Sequence, residues 1–506
     1  MPHRNERHAH RADGDGIPVP APVRAVVVGG GVSGLVAARE LAISGHAVEV
    51  FEATGAFGGC VAPHTVAGLV LDAGAESFAT RNTAVADLLA ELGLGEDIAL
   101  PCPGGAWLYV ERGTGHKGAA LPMPQTGILG IPGDPAAEDV KRAIGAAASL
   151  RAAADLAMPV SRQVAEEPLS IGELVRARMG RAVLDTLVAP VVSGVHSADP
   201  DTLDVDTVAP GLRAAVVKHG SLARAAASIR SAAPAGSAVA GLSGGMHRLV
   251  SALVQDLRER GAVLHADTPV AAIEHAGAAE TAARTGEPTS PWAVTVRGAK
   301  DAEPRRIEAD RIVVATTGPT AVDLLAPLAA GVARHRPQEG AGVSLVTLVV
   351  DKPELDEAPR GTGMLVAPGA AAVGAKAITH ATSKWAWLAE EAGPGTHVLR
   401  LSYGRVSERT SRVADSSDEE LRHAAVLDAR ELLGVDLQDT DVLGWDVVRY
   451  GGALPFATTG HRDRVAAFRG DLAAVAGIDV VGAWLAGTGL AAIVQDTRNR
   501  IGISAS

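Results

Sequence analysis

The chain has 506 residues, of which 47% are hydrophobic and 21% charged, and 46 Lys+Arg against 58 Asp+Glu leave a formal charge of −12. That length predicts two or three domains, and the mixed-sign composition excludes a fibrous or disordered chain. An acidic chain with no long basic run excludes a nucleic-acid binder, so any anionic ligand needs a local cationic pocket.

In chain order, residues 1–22 combine charge, Gly and Pro without an apolar run, which predicts a disordered tail rather than a signal peptide. His3, His8 and His10 read as solvated tail residues. Val23–Val28 is a short continuous apolar strand of the doubly buried kind. The run from Gly29 to Gly45 follows, with Leu35, Val36, Ala38, Leu41 and Ala42 on one helical stripe and Gly45 suited to the C-cap. Ala47–Glu52 is the second strand. After Gly68 come a strand, a glycine turn and a helix over 83–94. Residues 135–232 carry helical spacing throughout, whereas 262–275 and 292–314 return to strands around a loop at 276–291. Residues 341–404 hold several β-rich runs and predict a mainly antiparallel sheet. Its Val343–Val350 run is far short of the roughly 18 apolar residues that span a bilayer. Ser417–Leu433 is helical, and 480–487 reads as a strand leading through a glycine turn into a last helix. Cys60 and Cys102 make no disulfide framework, and no Cys/His cluster has metal-ligand spacing, which fits a reducing cytoplasm.

The chemistry begins at Gly29, Gly31 and Gly34, a GxGxxG directly after a strand and opening a helix. The first glycine serves the tight turn, the second lets backbone approach a pyrophosphate, and the third lets helix pack on strand. Val32 and Ser33 lie in the first turn, where free N–H groups and the helix dipole favour phosphate. Glu52, ending the second strand, is placed to accept hydrogen bonds from a ribose. Gly58 and Gly59, followed by Cys60, form a second glycine pair of the sort found in flavoproteins with a long FAD-binding N-terminus. Gly74, Ala75, Glu76 and Ser77 form a small-residue turn able to approach an isoalloxazine ring. Gly487, Thr488, Gly489 and Leu490 form a C-terminal turn whose N–H groups could face the flavin pyrimidine. Cys60 is expected to be a small buried residue rather than a redox thiol.

The runs VVVGGGVSGLVAARELA, GGCV, LDAGAESFATRN and GAWLAGTGL resemble the FAD-dependent protoporphyrinogen/coproporphyrinogen oxidases, in the Gram-positive, actinobacterial form. LPMPQTGILGIPGDP, LVAPVVSGVHSADPDTL, LSGGMHRLVSAL, AKAITHATSKWAWL, VLRLSYGR and ALPFATTGH agree, so the likeness covers nearly the whole chain after residue 23. Three positions depart from the family pattern: Cys60 stands where Arg or Lys is common, Phe456-Ala457 where Gln-Tyr is expected, and Tyr450 where Trp is frequent.

The resemblance implies an α/β fold with a Rossmann-like FAD-binding domain of the amine-oxidase/porphyrinogen-oxidase type, a mixed-sheet substrate domain and a helical insertion. FAD-binding segments are expected at 23–105, 233–325 and 455–506, substrate-domain segments at 106–134 and 326–454, and the insertion at 135–232. It adds Val270 and Tyr450 to the FAD contacts. It implies six-electron oxidation of coproporphyrinogen III, with flavin N5 rather than a side chain carrying the chemistry and oxygen reduced to peroxide. A bulky tetrapyrrole with propionates requires an apolar cleft with cations at its rim. Arg81, Lys384 and Arg449 are the candidates by position. Trp385 and Trp387 line that cleft or fill the core, and His196, His380 and His461 are expected to be structural. A ferrochelatase-type enzyme is a conceivable transient partner, and at most peripheral membrane contact is expected. Protoporphyrinogen IX as substrate, amine oxidase or desaturase activity, and a catalytically silent carrier are the alternatives.

Overall fold

The computed structural model describes residues 22–111, 118–124, 128–196, 198–232, 238–276, 291–298, 303–338, 340–404, 416–452 and 458–505. The expected tail (apart from residue 22) with its three histidines, nearly all of the 276–291 loop, Phe456 and Ala457, and the side chain of His196 lie outside them.

A five-stranded parallel sheet organises the N-terminal fold. Its strands are β1 (Arg24–Val28), β2 (Ala47–Phe51), β3 (Val263–His265), β4 (Arg311–Val314) and β5 (Ile478–Val480), in the order β3-β2-β1-β4-β5. Both faces are covered, which is why β1 is apolar at consecutive positions. Ala25 and Val27 pack beneath α1 (Val32–Ile43), α2 (Ala84–Glu91), α3 (His247–Glu259) and α4 (Leu490–Ala505). Val26 and Val28 face the other way, onto Ile273, Trp292, Val294 and Phe468. The covering helices are tied by ions as well as by packing: Arg39 reaches Glu91 and Asp256, and Arg498 reaches Glu40 and Glu91.

The second large sheet has seven strands, ordered Val442–Gly452, Gly340–Asp351, Thr396–Tyr403, Ala377–His380, Gly363–Val366, Trp107–Val110 and Ala119–Pro122. It is antiparallel except where Gly363–Val366 runs parallel to Trp107–Val110. Its two faces meet different partners. Val346, Leu348, Val350, Leu399 and Leu401 pack on Leu421, Ala425, Val426 and Ala429 of the helix Asp418–Leu433. The other face is shared, with Leu108 and Val110 packing on the helical segment between Glu138 and Ala232. On that same face Val349 and Val398 meet Leu71 and Trp385.

That helical segment is knotted by one buried pair. Arg178 donates to Asp155 and to the carbonyls of Met158, Pro159 and Gly220, while Asp155 also accepts from Ser221 and Ala223. Among the described residues no helix is long and apolar enough to cross a membrane.

One expected strand is corrected. The 480–487 run gives a strand only to Val480, because Gly482, at φ 136°, turns the chain and Ala483–Ala486 forms a helical turn. The edge strand Val442–Gly452 was not among the expected elements.

Candidate functional site

The glycine crossing shows why each residue must be small. Gly29, at φ 107°, would set a β-carbon 2.7 Å from the Ala315 carbonyl oxygen. A β-carbon on Gly34 would fall 1.9 Å from the Gly29 carbonyl oxygen, so α1 lies on the β1 turn only because both are glycine. Gly31 differs. Its φ of −67° suits any residue and nothing lies within 4 Å of a β-carbon there, so its space is open on the ligand side. Gly31 is the N-cap of α1 and supplies no side-chain cap to the first turn, Val32–Gly34.

The second glycine pair is stitched to the first. Gly58 N–H donates to the Gly30 carbonyl at 2.8 Å, and Gly59 lies against Gly31. Glu52 completes the cradle: one carboxylate oxygen accepts from Gly30 N–H at 2.7 Å and the other from the Thr54 amide and hydroxyl, each at 2.8 Å. Thr268 N–H donates to the Glu52 carbonyl, which brings Val270, partly buried, to the same end of the sheet. Gly487 and Gly489 likewise have nothing within 4 Å of a β-carbon, while Leu490 is buried with Val32 and Val36. Bare backbone over free volume, uncapped helix donors and an adjacent carboxylate fit a dinucleotide diphosphate and its ribose.

The turn Gly74–Ser77 is held from the seven-stranded sheet. A β-carbon on Gly74 would overlap the Cys60 carbonyl oxygen and approach the Tyr450 hydroxyl to 2.8 Å. Ala75 N–H donates to that Cys60 carbonyl at 2.9 Å. Arg400 donates to the Gly74 carbonyl and to Glu76, whose other carboxylate oxygen accepts from Lys384. Burial would raise the Glu76 carboxyl, but Lys384 and Arg400 outweigh it and hold the group below its ordinary value. Burial, reinforced by Cys60 and Asp72 and opposed by Arg400, pushes the Tyr450 phenol up to about 12, so it stays neutral.

The remaining candidates separate. Arg81 is exposed and makes no hydrogen bond or ion pair among the described residues. Lys384 is engaged by Glu76 and lies over the Trp385 ring. Arg449 lies apart from these: it pairs in register with Ser344, on the face covered by the helix Asp418–Leu433, and donates to Asp418 and the Ser416 carbonyl. Its neighbour Tyr450 points the opposite way, because strand side chains alternate. Cys60 is corrected. Its side chain is exposed, although the crowded walls beside it push the thiol up and keep it protonated. Trp385 is buried and Trp387 partly so, both in the cluster with Val349 and Val398. His380 is fully buried between Ser383 and His397, and His461 is partly buried.

Arg400 was missed from sequence. Its signal is a lone cation inside the apolar run Val398–Leu401, at a position where alternation points it at the turn.

Residues 32–497 match the family of flavin containing amine oxidoreductases. A coproporphyrinogen III oxidase of Mycobacterium tuberculosis (strain ATCC 25618 / H37Rv) is 31% identical over 477 residues, covering 92% of this chain and 94% of that protein.

The chain belongs to this flavin oxidoreductase family, in its porphyrinogen oxidase branch.

Membership of the branch is carried across phyla, since a coproporphyrinogen III oxidase of Bacillus subtilis (strain 168) is 24% identical over 92% of this chain and 94% of that protein. A solved structure from Exiguobacterium sp. 255-15, assigned provisionally as a protoporphyrinogen oxidase, matches with a TM-score of 0.78 and 25% identity. It covers 96% of this chain and 99% of that one. The flavin amine oxidoreductase fold is thus the fold of this chain, and a flavin cofactor is implied by the family.

Proposed function

We propose that this protein oxidises coproporphyrinogen III to coproporphyrin III, with FAD at the glycine crossing and oxygen as the acceptor that yields hydrogen peroxide. One observation carries the reading: the likeness to named coproporphyrinogen III oxidases runs through the sheet and the helical segment, and is not confined to the dinucleotide motif. Bound there, FAD would supply the two-electron acceptor for each oxidation of the macrocycle.

The chain's own residues supply position and field. The first-turn amides of α1 and the bare backbone at Gly31 hold the diphosphate, and Glu52 orients the ribose. Tyr450, a neutral phenol beside Gly74, offers a hydrogen bond without adding charge. The substrate lies between the seven-stranded sheet and the helical segment, where Leu345, Ala377, Thr379 and Ser402 are only partly buried. Arg81 is the proposed carboxylate anchor, since Lys384 and Arg449 already hold protein carboxylates. We place the activity in the cytoplasm, with a ferrochelatase-type enzyme as the consumer of the product.

The test is aerobic turnover of flavin-loaded protein with coproporphyrinogen III and protoporphyrinogen IX side by side, followed by porphyrin fluorescence and peroxide. Faster, many-fold turnover of coproporphyrinogen III supports the reading. Preference for protoporphyrinogen IX replaces the substrate, and stoichiometric quenching without turnover indicates a carrier.

A further inference from the structure

The Gly74–Ser77 turn sits at the junction of the parallel sheet and the seven-stranded sheet, and the contacts that hold it there are ionic. Arg400 stands on the strand Thr396–Tyr403, with its side chain 12% exposed. It reaches across the junction to the Gly74 carbonyl and to Glu76. Lys384, 16% exposed at the end of the turn Ala381–Lys384, takes the other Glu76 oxygen. Two cations therefore meet one carboxylate within hydrogen-bonding distance, which leaves one positive charge in excess beneath the turn. Asp72, a further carboxylate on this side, accepts from the Met246 and His247 amides at the start of α3 and is engaged there. Charge in so enclosed a place is poorly screened and acts strongly on its neighbours.

We propose that Arg400 is a positioning residue for the cofactor. Through Glu76 it clamps the Gly74–Ser77 turn to the substrate sheet, and the clamp's excess positive charge raises the midpoint potential of flavin bound against that turn. This inference rests on the reading above, in which FAD occupies the glycine crossing. It gives the cluster a task that packing alone does not: a buried ion triad is a poor source of stability compared with apolar residues of the same volume.

The test uses the full-length protein loaded with FAD and reads the two-electron midpoint potential of the bound flavin by dye equilibration. Arg400→Met removes a cation, and Glu76→Gln removes the anion. The two variants are expected to move the potential in opposite directions, down for Arg400→Met and up for Glu76→Gln. Each shift corresponds to about a tenfold change in preference for the reduced cofactor, or about 30 mV for a two-electron couple. Arg400→Lys, which keeps the charge, stays near the wild-type value.

Variants that bind flavin but leave the potential unchanged, or move it in the same direction, overturn the proposal, because a merely structural role has no sign. Should Arg400→Met fail to fold, Lys384→Met against Glu76→Gln decides by the same criterion of opposite signs. A wild-type chain that takes up no FAD overturns the cofactor reading itself, and is seen before any variant is measured.

Discussion

The glycine crossing predicts that two neighbouring substitutions have opposite consequences. In Gly34→Ala the new methyl would sit 1.9 Å from the Gly29 carbonyl oxygen and 3.3 Å from the Ala315 β-carbon. Ordinary contact needs about 3.5 Å, so α1 must back away from β1 by about 1.5 Å. Overpacking of this kind costs about 1–3 kcal/mol, offset by at most about 1 kcal/mol from replacing a helical glycine with alanine. In Gly31→Ala the backbone needs no change and the methyl meets no protein atom. The apo-protein should lose about 1 kcal/mol or less, the ordinary effect of alanine at an N-cap. The same methyl fills the space through which the diphosphate approaches. Losing one or two charged hydrogen bonds at about 1.5–3 kcal/mol each weakens FAD by about tenfold to more than a thousandfold. Thermal denaturation without added cofactor, paired with a flavin-fluorescence titration, separates the two. Gly34→Ala should lower apo stability, and Gly31→Ala should lower affinity with an apo loss of about 1 kcal/mol or less. Wild-type FAD affinity in Gly31→Ala, or unchanged apo stability in Gly34→Ala, refutes the assignment.

Three further outcomes follow from other parts of the molecule. Arg178→Met strands the fully buried Asp155 carboxylate and should destabilise the helical segment by about 3–5 kcal/mol in urea; a loss below about 1 kcal/mol contradicts the knot described here. Burial, and then the charge of His397, lower the His380 imidazole to about 3. Its native pKa lies below its unfolded value of about 6.5, so its contribution is complete above that pH and falls away on acidification toward 3. Near pH 5 the loss is about 2 kcal/mol, and His380→Gln should flatten the urea-midpoint profile between pH 7 and 5, whereas an unchanged slope denies the burial effect. Arg449→Ala removes a partly exposed ion pair on the far face of the sheet; it should change stability by less than about 1 kcal/mol and leave KM within threefold, while a large rise in KM returns Arg449 to the substrate site.

How much of this was legible in the sequence depended on the range of the interaction that decides it. The βαβ unit was, because apolar β1, the stripe of α1 and the glycines between them are demands of adjacent backbone. The helix Asp418–Leu433 was too, down to Ser417, whose hydroxyl accepts from the Glu420 amide in a capping box. The 480–487 strand was misread because apolar composition alone does not reveal that Gly482 breaks the run and that Trp484 packs edge-on against Phe468. That Arg449 meets Asp418 was hidden for a different reason: which face of a strand is covered by a helix is fixed by tertiary packing, and a register of one residue reverses it. Arg400 went unnoticed because its partners, Gly74 and Glu76, lie more than 300 residues earlier in the chain. Cys60 was expected inside because small apolar residues usually are, yet the second glycine turn leaves it at the surface.

The most direct test of the account is the flavin content of the purified chain. After incubation with FAD and removal of the excess, the account predicts a yellow protein with stoichiometric flavin, released on denaturation as intact FAD, and a Glu52→Ala variant that retains much less. A colourless protein that takes up no FAD, or one that binds it equally well without Glu52 and with alanine at Gly31, contradicts it.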